Sequence, residues 1–201
     1  MATNAIREAL RQLVNRLEAH PTVEFIAKTL GRPASARALA KAQAAIPSHL
    51  LDVYGEVDGF KLEWRFRDCS RTFAQGNGGS LWMPSIAENS RGFRIGFEVS
   101  SGEPVQLLDH APRAEGFTRC AATLQGEGVV LFDGDEICGS FASASDFFAA
   151  AIECCGAARW LDLFADGARI DAALAIVNEN RARLGMASLG AQGEVVEERR
   201  S

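Results

Sequence analysis

The stretch IPSHLLDVYGEVDGFKLEWRF, residues 46–66, decides the fold because it joins a helix directly to a strand. Pro47 fits the first turn of a helix, where its missing N–H costs no hydrogen bond. Apolar residues recur at helical spacing after it: Leu50, Leu51 and Tyr54, with Val53 and Val57 beside them. Gly59 ends this helix, since glycine takes a positive φ without steric cost. From Phe60 to Phe66 apolar and charged residues alternate, which predicts a half-buried strand.

Toward the N-terminus the pattern is helical. Apolar residues at helical spacing predict an amphipathic helix over residues 2–19: Ile6, Leu10, Leu13 and Leu17. Thr22 is a suitable cap for a short helix over Val23–Leu30, which Gly31 and Pro33 would end. A third helix is predicted over residues 35–45.

Toward the C-terminus the chain first turns to strand-like segments. A glycine-rich link at residues 75–79 leads to an apolar run at residues 81–83. Further strands are predicted near residues 93–99, 105–108, 117–122, 129–132 and 136–141. Asp133 and Gly134 form a turn signal between the last two strands, which favours a hairpin.

Helical spacing returns after residue 141. Ser143 or Ser145 fits the cap of a helix that has Asp146 in its first turn and an apolar stripe including Phe147 and Phe148. A second short helix follows at residues 160–164, a last helix at residues 169–184, and a loose tail at residues 185–201. The predicted class is α+β: one domain over residues 1–184, with a central antiparallel sheet of about five or six strands and helices packed on one side.

Composition restricts the kinds of partner. The 201 residues carry a formal net charge of −5, which argues against a nucleic-acid binder and suits a protein with a positive face. The N-terminus lacks the apolar run of a signal peptide, and no stretch reaches the 18 apolar residues of a membrane span. The five cysteines lack the spacing of a disulfide framework, so reduced thiols and a cytoplasmic location are expected.

Motifs for catalysis, metals and cofactors do not emerge from the sequence. The histidines His20, His49 and His110 are scattered, and adjacent Cys154 and Cys155 give no useful chelate for zinc. No G-x-S-x-G elbow is present, and the glycines at residues 75–79 lack the Lys-Ser/Thr of a phosphate loop, which favours a flexible surface loop. We therefore predict no catalytic residue, metal or cofactor, although a Cys–His pair or a Ser–His–Asp set could still meet in space.

Acidic residues are the remaining candidates for a binding site. Asp52, Glu56, Asp58 and Glu63 lie around the helix-to-strand corner, and Asp133, Asp135 and Glu136 lie at the predicted turn. Two interpretations stay open: ordinary surface charge, or an acidic face that binds a basic protein. On the second interpretation the partner-binding residues are Asp58, Glu63, Asp133, Asp135 and Glu136.

The corner and two later segments carry a family resemblance. The matching residues are Ile46-Pro47, Leu50, Tyr54, Asp58-Gly59 and the strand Phe60–Phe66, then residues 78–84 (GGSLWMP), and Phe141-Ala142-Ser143 before Phe147-Phe148. With these motifs the chain resembles the SUKH superfamily, the domain of bacterial toxin-immunity proteins and of a fungal cell-wall regulator. The resemblance covers about residues 23–165, and the helix at residues 169–184 is additional. Pro47, Leu50, Tyr54, Gly59 and Trp64 would form the structural framework of the corner.

The resemblance implies a binding protein with no enzymatic activity. The first hypothesis is a bacterial immunity protein that neutralises a polymorphic toxin by forming a stoichiometric complex, with acidic side chains facing a basic toxin. The second hypothesis is a regulatory or scaffold module of the same fold that binds an endogenous protein. A third hypothesis is a cryptic hydrolase that uses cysteine or histidine.

Overall fold

The computed structural model describes residues 5–89, 105–108, 119–123, 128–133, 136–166 and 170–190. The helices are α1 Ala5–Ala19, α2 Ala36–Ala42, α3 Ser48–Glu56, α4 Ile86–Asn89, α5 Ala144–Glu153 and α6 Ile170–Arg183. The strands are β1 Val23–Leu30, β2 Phe60–Phe66, β3 Gly79–Met83, β4 Val105–Leu107, β5 Arg119–Thr123, β6 Val129–Asp133 and β7 Glu136–Phe141. Two short 3₁₀ helices lie at Phe73–Gln75 and Trp160–Leu163.

The strands form two antiparallel sheets, in the orders β1-β2-β3 and β4-β5-β6-β7. The α+β class is therefore confirmed, but the single central sheet of five or six strands is wrong. The three-stranded sheet ends at β3 because the segment after α5 covers that edge: Ser80 N–H donates to the Gly156 carbonyl at 2.8 Å, and Gly79 forms a bridge with Ala157.

Helix α5 connects the helical part of the fold to both sheets. Helix α5 contacts α1, α3 and β7. Its Phe148 ring packs edge-on against Phe60 of β2 at 5.4 Å, and its Phe147 ring packs against Phe141 of β7 at 5.5 Å. Helix α5 thus contacts both sheets, because its two adjacent phenylalanines point to different neighbours.

Strand β1 corrects the prediction of a short helix over Val23–Leu30. The segment pairs antiparallel with β2, from Val23 opposite Phe66 to Leu30 opposite Phe60. A bulge between Phe25 and Ala27 interrupts the pairing, so apolar residues lose the simple alternation that marks a strand. Eight residues are also too few for periodicity to separate helix from strand, and the partner strand lies far along the chain.

The corner of residues 46–66 consists of helix α3, a reversal at Gly59 and strand β2. Pro47 precedes α3, and Leu50, Tyr54 and Trp64 are buried. The Tyr54 hydroxyl donates to the Pro84 carbonyl at 2.9 Å. Gly59 has φ +81°, and a Cβ there would lie 2.8 Å from Ser85 N, so only glycine fits this reversal.

Most of the other predicted elements are present with shifted ends. Helix α1 buries the predicted apolar stripe, Ser35 caps α2, and Ser143 caps α5 by accepting the Asp146 N–H. The hairpin is confirmed, since Asp133 at the end of β6 pairs with Glu136 at the start of β7. The strand predicted near residues 93–99 lies outside the described residues.

The chain stays packed beyond α6. Leu189 is buried, its N–H donates to the Asn178 side-chain oxygen at 2.7 Å, and its carbonyl accepts from the Asn178 amide at 3.0 Å. The prediction of a loose tail from residue 185 is therefore wrong up to Leu189, and residues 191–201 lie outside the described part. No helix in the described ranges is long and apolar enough to span a bilayer.

Candidate functional site

Two acidic residues of the corner are engaged inside the fold. The buried Glu56 carboxylate accepts the Ile6 N–H at 2.8 Å, and the half-buried Asp58 carboxylate accepts the Ile86 N–H at 2.7 Å. Each carboxylate therefore satisfies a donor at the start of a helix, where carboxylates are favoured. Asp58, which we predicted to face a partner, holds α4 against the corner.

The other predicted partner-binding residues are divided between the two sheets. Glu63 lies on the outer face of β2. Asp133 and Glu136 lie at the ends of β6 and β7 in the other sheet, and their side chains, like the whole of Asp135, lie outside the described residues. The structure thus leaves only Glu63 as a described, accessible member of the predicted acidic set.

Glu63 faces an open groove of about 760 Å³ on the outer face of the three-stranded sheet. The residues that line it come from β1, from β2 and from the loop after β2. They are Glu24, Ile26, Glu63, Trp64, Arg65, Phe66, Arg67, Cys69, Ser70, Arg71, Thr72, Phe73 and Asn77. We refer to this feature as the groove.

The floor of the groove is built from the outward-facing residues of β1 and β2. Glu24 pairs across the strands with Arg65, and Ala27 pairs with Glu63. The bulge in β1 places Ile26 between these pairs and turns it to solvent, where it is 56% exposed. An extra residue in a strand re-aims a side chain in this way, so the bulge gives the groove an apolar rim.

Asn77 holds the opposite wall of the groove. Its side-chain oxygen accepts the Phe66 N–H at 3.0 Å. Its amide donates to the carbonyls of Phe66, Cys69 and Arg71, at 3.2, 3.2 and 2.9 Å. A single buried side chain therefore fixes the loop after β2 against the end of the strand.

This network corrects the prediction of a flexible loop at residues 75–79. Thr72 and Gln75 cap the short 3₁₀ helix reciprocally, and Gly76 then takes a left-handed conformation. Gly78 has φ +101°, and a Cβ there would lie 2.0 Å from the Trp64 carbonyl. A Thr-x-x-Gln pair before Gly-Asn-Gly was the signal in the sequence, since it combines a capping box with two positions for positive φ.

Helix α6 supports the same wall from behind. The Asn180 amide donates to the Gly78 carbonyl at 2.9 Å, and Arg71 forms an ion pair with Glu179 at 2.7 Å. Arg183 forms an ion pair with Asp68, and its guanidinium lies 3.6 Å from the centre of the Phe66 ring. The helix that the family resemblance does not cover thus helps to shape the groove.

The charges of the groove are mixed rather than acidic. Two carboxylates, Glu24 and Glu63, stand among three guanidinium groups. Arg65 is bound to Glu24, since its Nε and Nη2 atoms both lie 3.0 Å from one carboxylate oxygen. Arg71 is bound to Glu179, whereas the Arg67 guanidinium makes one long bond of 3.5 Å to the Pro21 carbonyl in the described part of the chain.

Cys154, Cys155 and His49 are buried in the core. Burial raises the pKa of the Cys155 thiol to about 12 and also raises the pKa of Cys154, so both are neutral at physiological pH. Cys155 contacts the Met186 sulfur at 3.4 Å, and His49 Nδ1 accepts the Ala144 N–H at the start of α5. Among the described residues no three His, Cys, Asp or Glu side chains are grouped to hold a metal ion.

Comparison with known proteins gives no match for this chain. No protein-family model, curated protein or solved structure matches the chain. The SUKH resemblance therefore stays a prediction that depends on the corner residues and the two later segments.

Proposed function

We propose that the chain is a protein-binding domain of the immunity type, which neutralises a bacterial toxin by occluding it in a stoichiometric complex. The observation that carries the proposal is the groove itself. It is walled by a loop that Asn77 fixes in place, and it combines an exposed isoleucine with side chains of both charges. A surface that binds another protein usually has an apolar centre and a polar rim, and the groove offers groups of both kinds.

The residues of the corner also support the proposal. Pro47, Leu50, Tyr54, Gly59 and Trp64 adopt the helix, reversal and strand that the SUKH resemblance implies. The resemblance in turn implies binding of a protein rather than chemistry on a substrate. A typical interface would bury about 800 Å² on this chain, so the contact would extend beyond the groove onto its surroundings.

The second candidate function is a regulatory or scaffold module that binds an endogenous protein through the same groove. The groove fits both functions equally well, because both need only a preformed protein-binding surface. A toxin gene beside the gene for this chain would favour the first function, and an unrelated neighbouring gene would favour the second. The hydrolase hypothesis gains no support from Cys154 and Cys155, because a buried neutral thiol is a poor nucleophile.

Co-purification with the product of the neighbouring reading frame tests the proposal. We expect a one-to-one complex by size-exclusion chromatography with light scattering, and restored growth of cells that produce both proteins. Ile26→Glu should weaken the complex at least tenfold, because it places a charge at the apolar rim of the groove.

Ile137 of β7 provides the matched control, since it is the other exposed large apolar residue in the described ranges, at 58% against 56% for Ile26. Ile137→Glu should leave the affinity unchanged. If Ile26→Glu leaves the affinity unchanged and Ile137→Glu weakens it, the interface lies on the other sheet. Absence of any complex with the neighbouring product would contradict the immunity function.

A further inference from the structure

We propose that the groove recognises an extended, acidic segment of the partner protein, and that Arg67 binds a carboxylate of that segment. This inference rests on the proposed protein-binding function and specifies the chemistry of the partner. It also differs from the expectation that acidic residues of this chain face a basic partner.

The inference starts from the hydrogen bonds and ion pairs that the three arginines of the groove make. Arg65 and Arg71 are each held by a carboxylate of the chain, Glu24 and Glu179. Arg67 is exposed, and its guanidinium is engaged by a long bond to a carbonyl. A guanidinium has five donors in a planar fork that matches a carboxylate, and the described residues engage only one nitrogen of Arg67, which leaves most of its donors to a partner.

The position of Arg67 is fixed by the fold. Its backbone N–H donates to the Thr22 carbonyl at 2.8 Å, which extends the pairing of β1 with β2 by one more residue. The neighbouring Phe66 is bound on both backbone atoms by Asn77. Because the backbone is anchored on both sides, binding a ligand would order little more than the Arg67 side chain.

The other groups of the groove favour a carboxylate on a polypeptide. Ser70 is a further polar residue of the lining, and Ile26 offers an apolar contact at the rim. Glu24 and Glu63 reduce the positive potential, which disfavours a dianionic phosphate more than a singly charged carboxylate. An extended segment that has an acidic and an apolar side chain two positions apart, and therefore on the same face, would satisfy both kinds of group.

Fluorescence anisotropy with synthetic peptides tests this inference on the full chain. The probe is a short fluorescein-labelled peptide of repeating Glu-Ser-Val-Ser, which places Glu and Val on the same face of the extended chain, and the comparison peptide has Lys in place of Glu. We expect the acidic peptide to bind at least tenfold more tightly, with an affinity that falls as salt is raised. Equal binding of the two peptides, or tighter binding of the basic one, would overturn the inference.

Two variants of the groove sharpen the test. Arg67→Glu should weaken binding of the acidic peptide at least tenfold, and Glu63→Gln should strengthen it about twofold by removing a nearby negative charge. Arg37→Glu, an exposed position on α2, is the control for net charge and should change nothing. Urea midpoints of all variants should match that of the parent chain, and an acidic peptide that binds Arg67→Glu normally would overturn the inference.

This failure can be distinguished from failure of the proposed function. If the neighbouring gene product still forms a complex that depends on Ile26, the domain binds a protein through the groove and only the acidic chemistry is wrong. If no protein complex forms, the proposed function fails whatever the peptides do.

Discussion

Replacement of Asn77 with alanine tests the account of the groove most directly. The substitution removes two buried hydrogen bonds to Phe66 and two partly buried bonds to the carbonyls of Cys69 and Arg71. Leaving the buried Phe66 groups without partners costs about 1–3 kcal/mol, and water can replace the partly buried bonds at a cost of under ~1 kcal/mol. We therefore expect the free energy of unfolding to fall by roughly 1–4 kcal/mol.

Urea unfolding measures this loss. With a slope of about 3 kcal/mol per molar urea for a chain of this size, the midpoint should fall by about 0.3–1.3 M while the slope stays unchanged. The variant should also bind the partner more weakly, because the wall at residues 69–73 is no longer held against β2.

Asn178→Ala is the matched control. It also removes an amide that makes two bonds to backbone atoms, in this case those of Leu189, away from the groove. We expect a loss of about 1–2 kcal/mol in stability and no change in partner affinity. A change below about 0.5 kcal/mol in Asn77→Ala would refute the role of this side chain in fixing the loop.

Three further predictions concern the rest of the fold. Trp64→Ala should lower the free energy of unfolding by about 3–5 kcal/mol, since the ring is buried and packs edge-on against Phe66 at 5.1 Å; an unchanged thermal midpoint would contradict its place in the core. Glu56→Ala should lower the free energy of unfolding by about 1–2 kcal/mol, because it removes the acceptor for the Ile6 N–H. The thermal midpoint measured by circular dichroism should therefore fall. Stability should also fall in alkali. The folded pKa of Cys155 is raised from 9.0 to about 12, so its contribution is complete below pH 9 and is lost as the unfolded thiol ionises between these values. Between pH 9 and about 12 the urea midpoint should fall less steeply in Cys155→Ala than in the parent chain. An equal fall in both would contradict the assignment of Cys155 as a buried neutral thiol.

The elements that the sequence predicted well are those with local signals. The corner combines a proline, an apolar stripe, a glycine and a strict alternation, all within residues 46–66. Helix α5 has a serine cap with an aspartate in the first turn, and the sequence has Asp133-Gly134 where β6 ends before its partner β7. In each case the chemistry that sets the element lies within a few residues of it.

The errors arose where distant residues decide the structure. Strand β1 depends on a partner strand whose paired residues lie 30 to 43 positions away, and it carries a bulge that hides its alternation. The division into two sheets depends on the segment after α5, which covers the edge of β3. The sequence allowed Glu56 and Asp58 to be ordinary surface charges. In the structure Glu56 accepts a backbone N–H from a residue 50 positions away, and Asp58 accepts one from a residue 28 positions away. The groove was missed because its wall depends on one asparagine inside a glycine-rich run.

Arg181 of α6 has a consequence for how the protein is handled in the laboratory. This buried guanidinium donates to the Ala187 carbonyl at 2.6 Å and forms an ion pair with Glu153 at the end of α5, and it also donates to the Glu153 carbonyl. A shortened chain that stopped at residue 165, where the family-like region ends, would remove the cation and expose the carbonyls at the end of α5. Expression of that minimal core should yield aggregated material, and a stable truncation would have to retain the chain through Leu189.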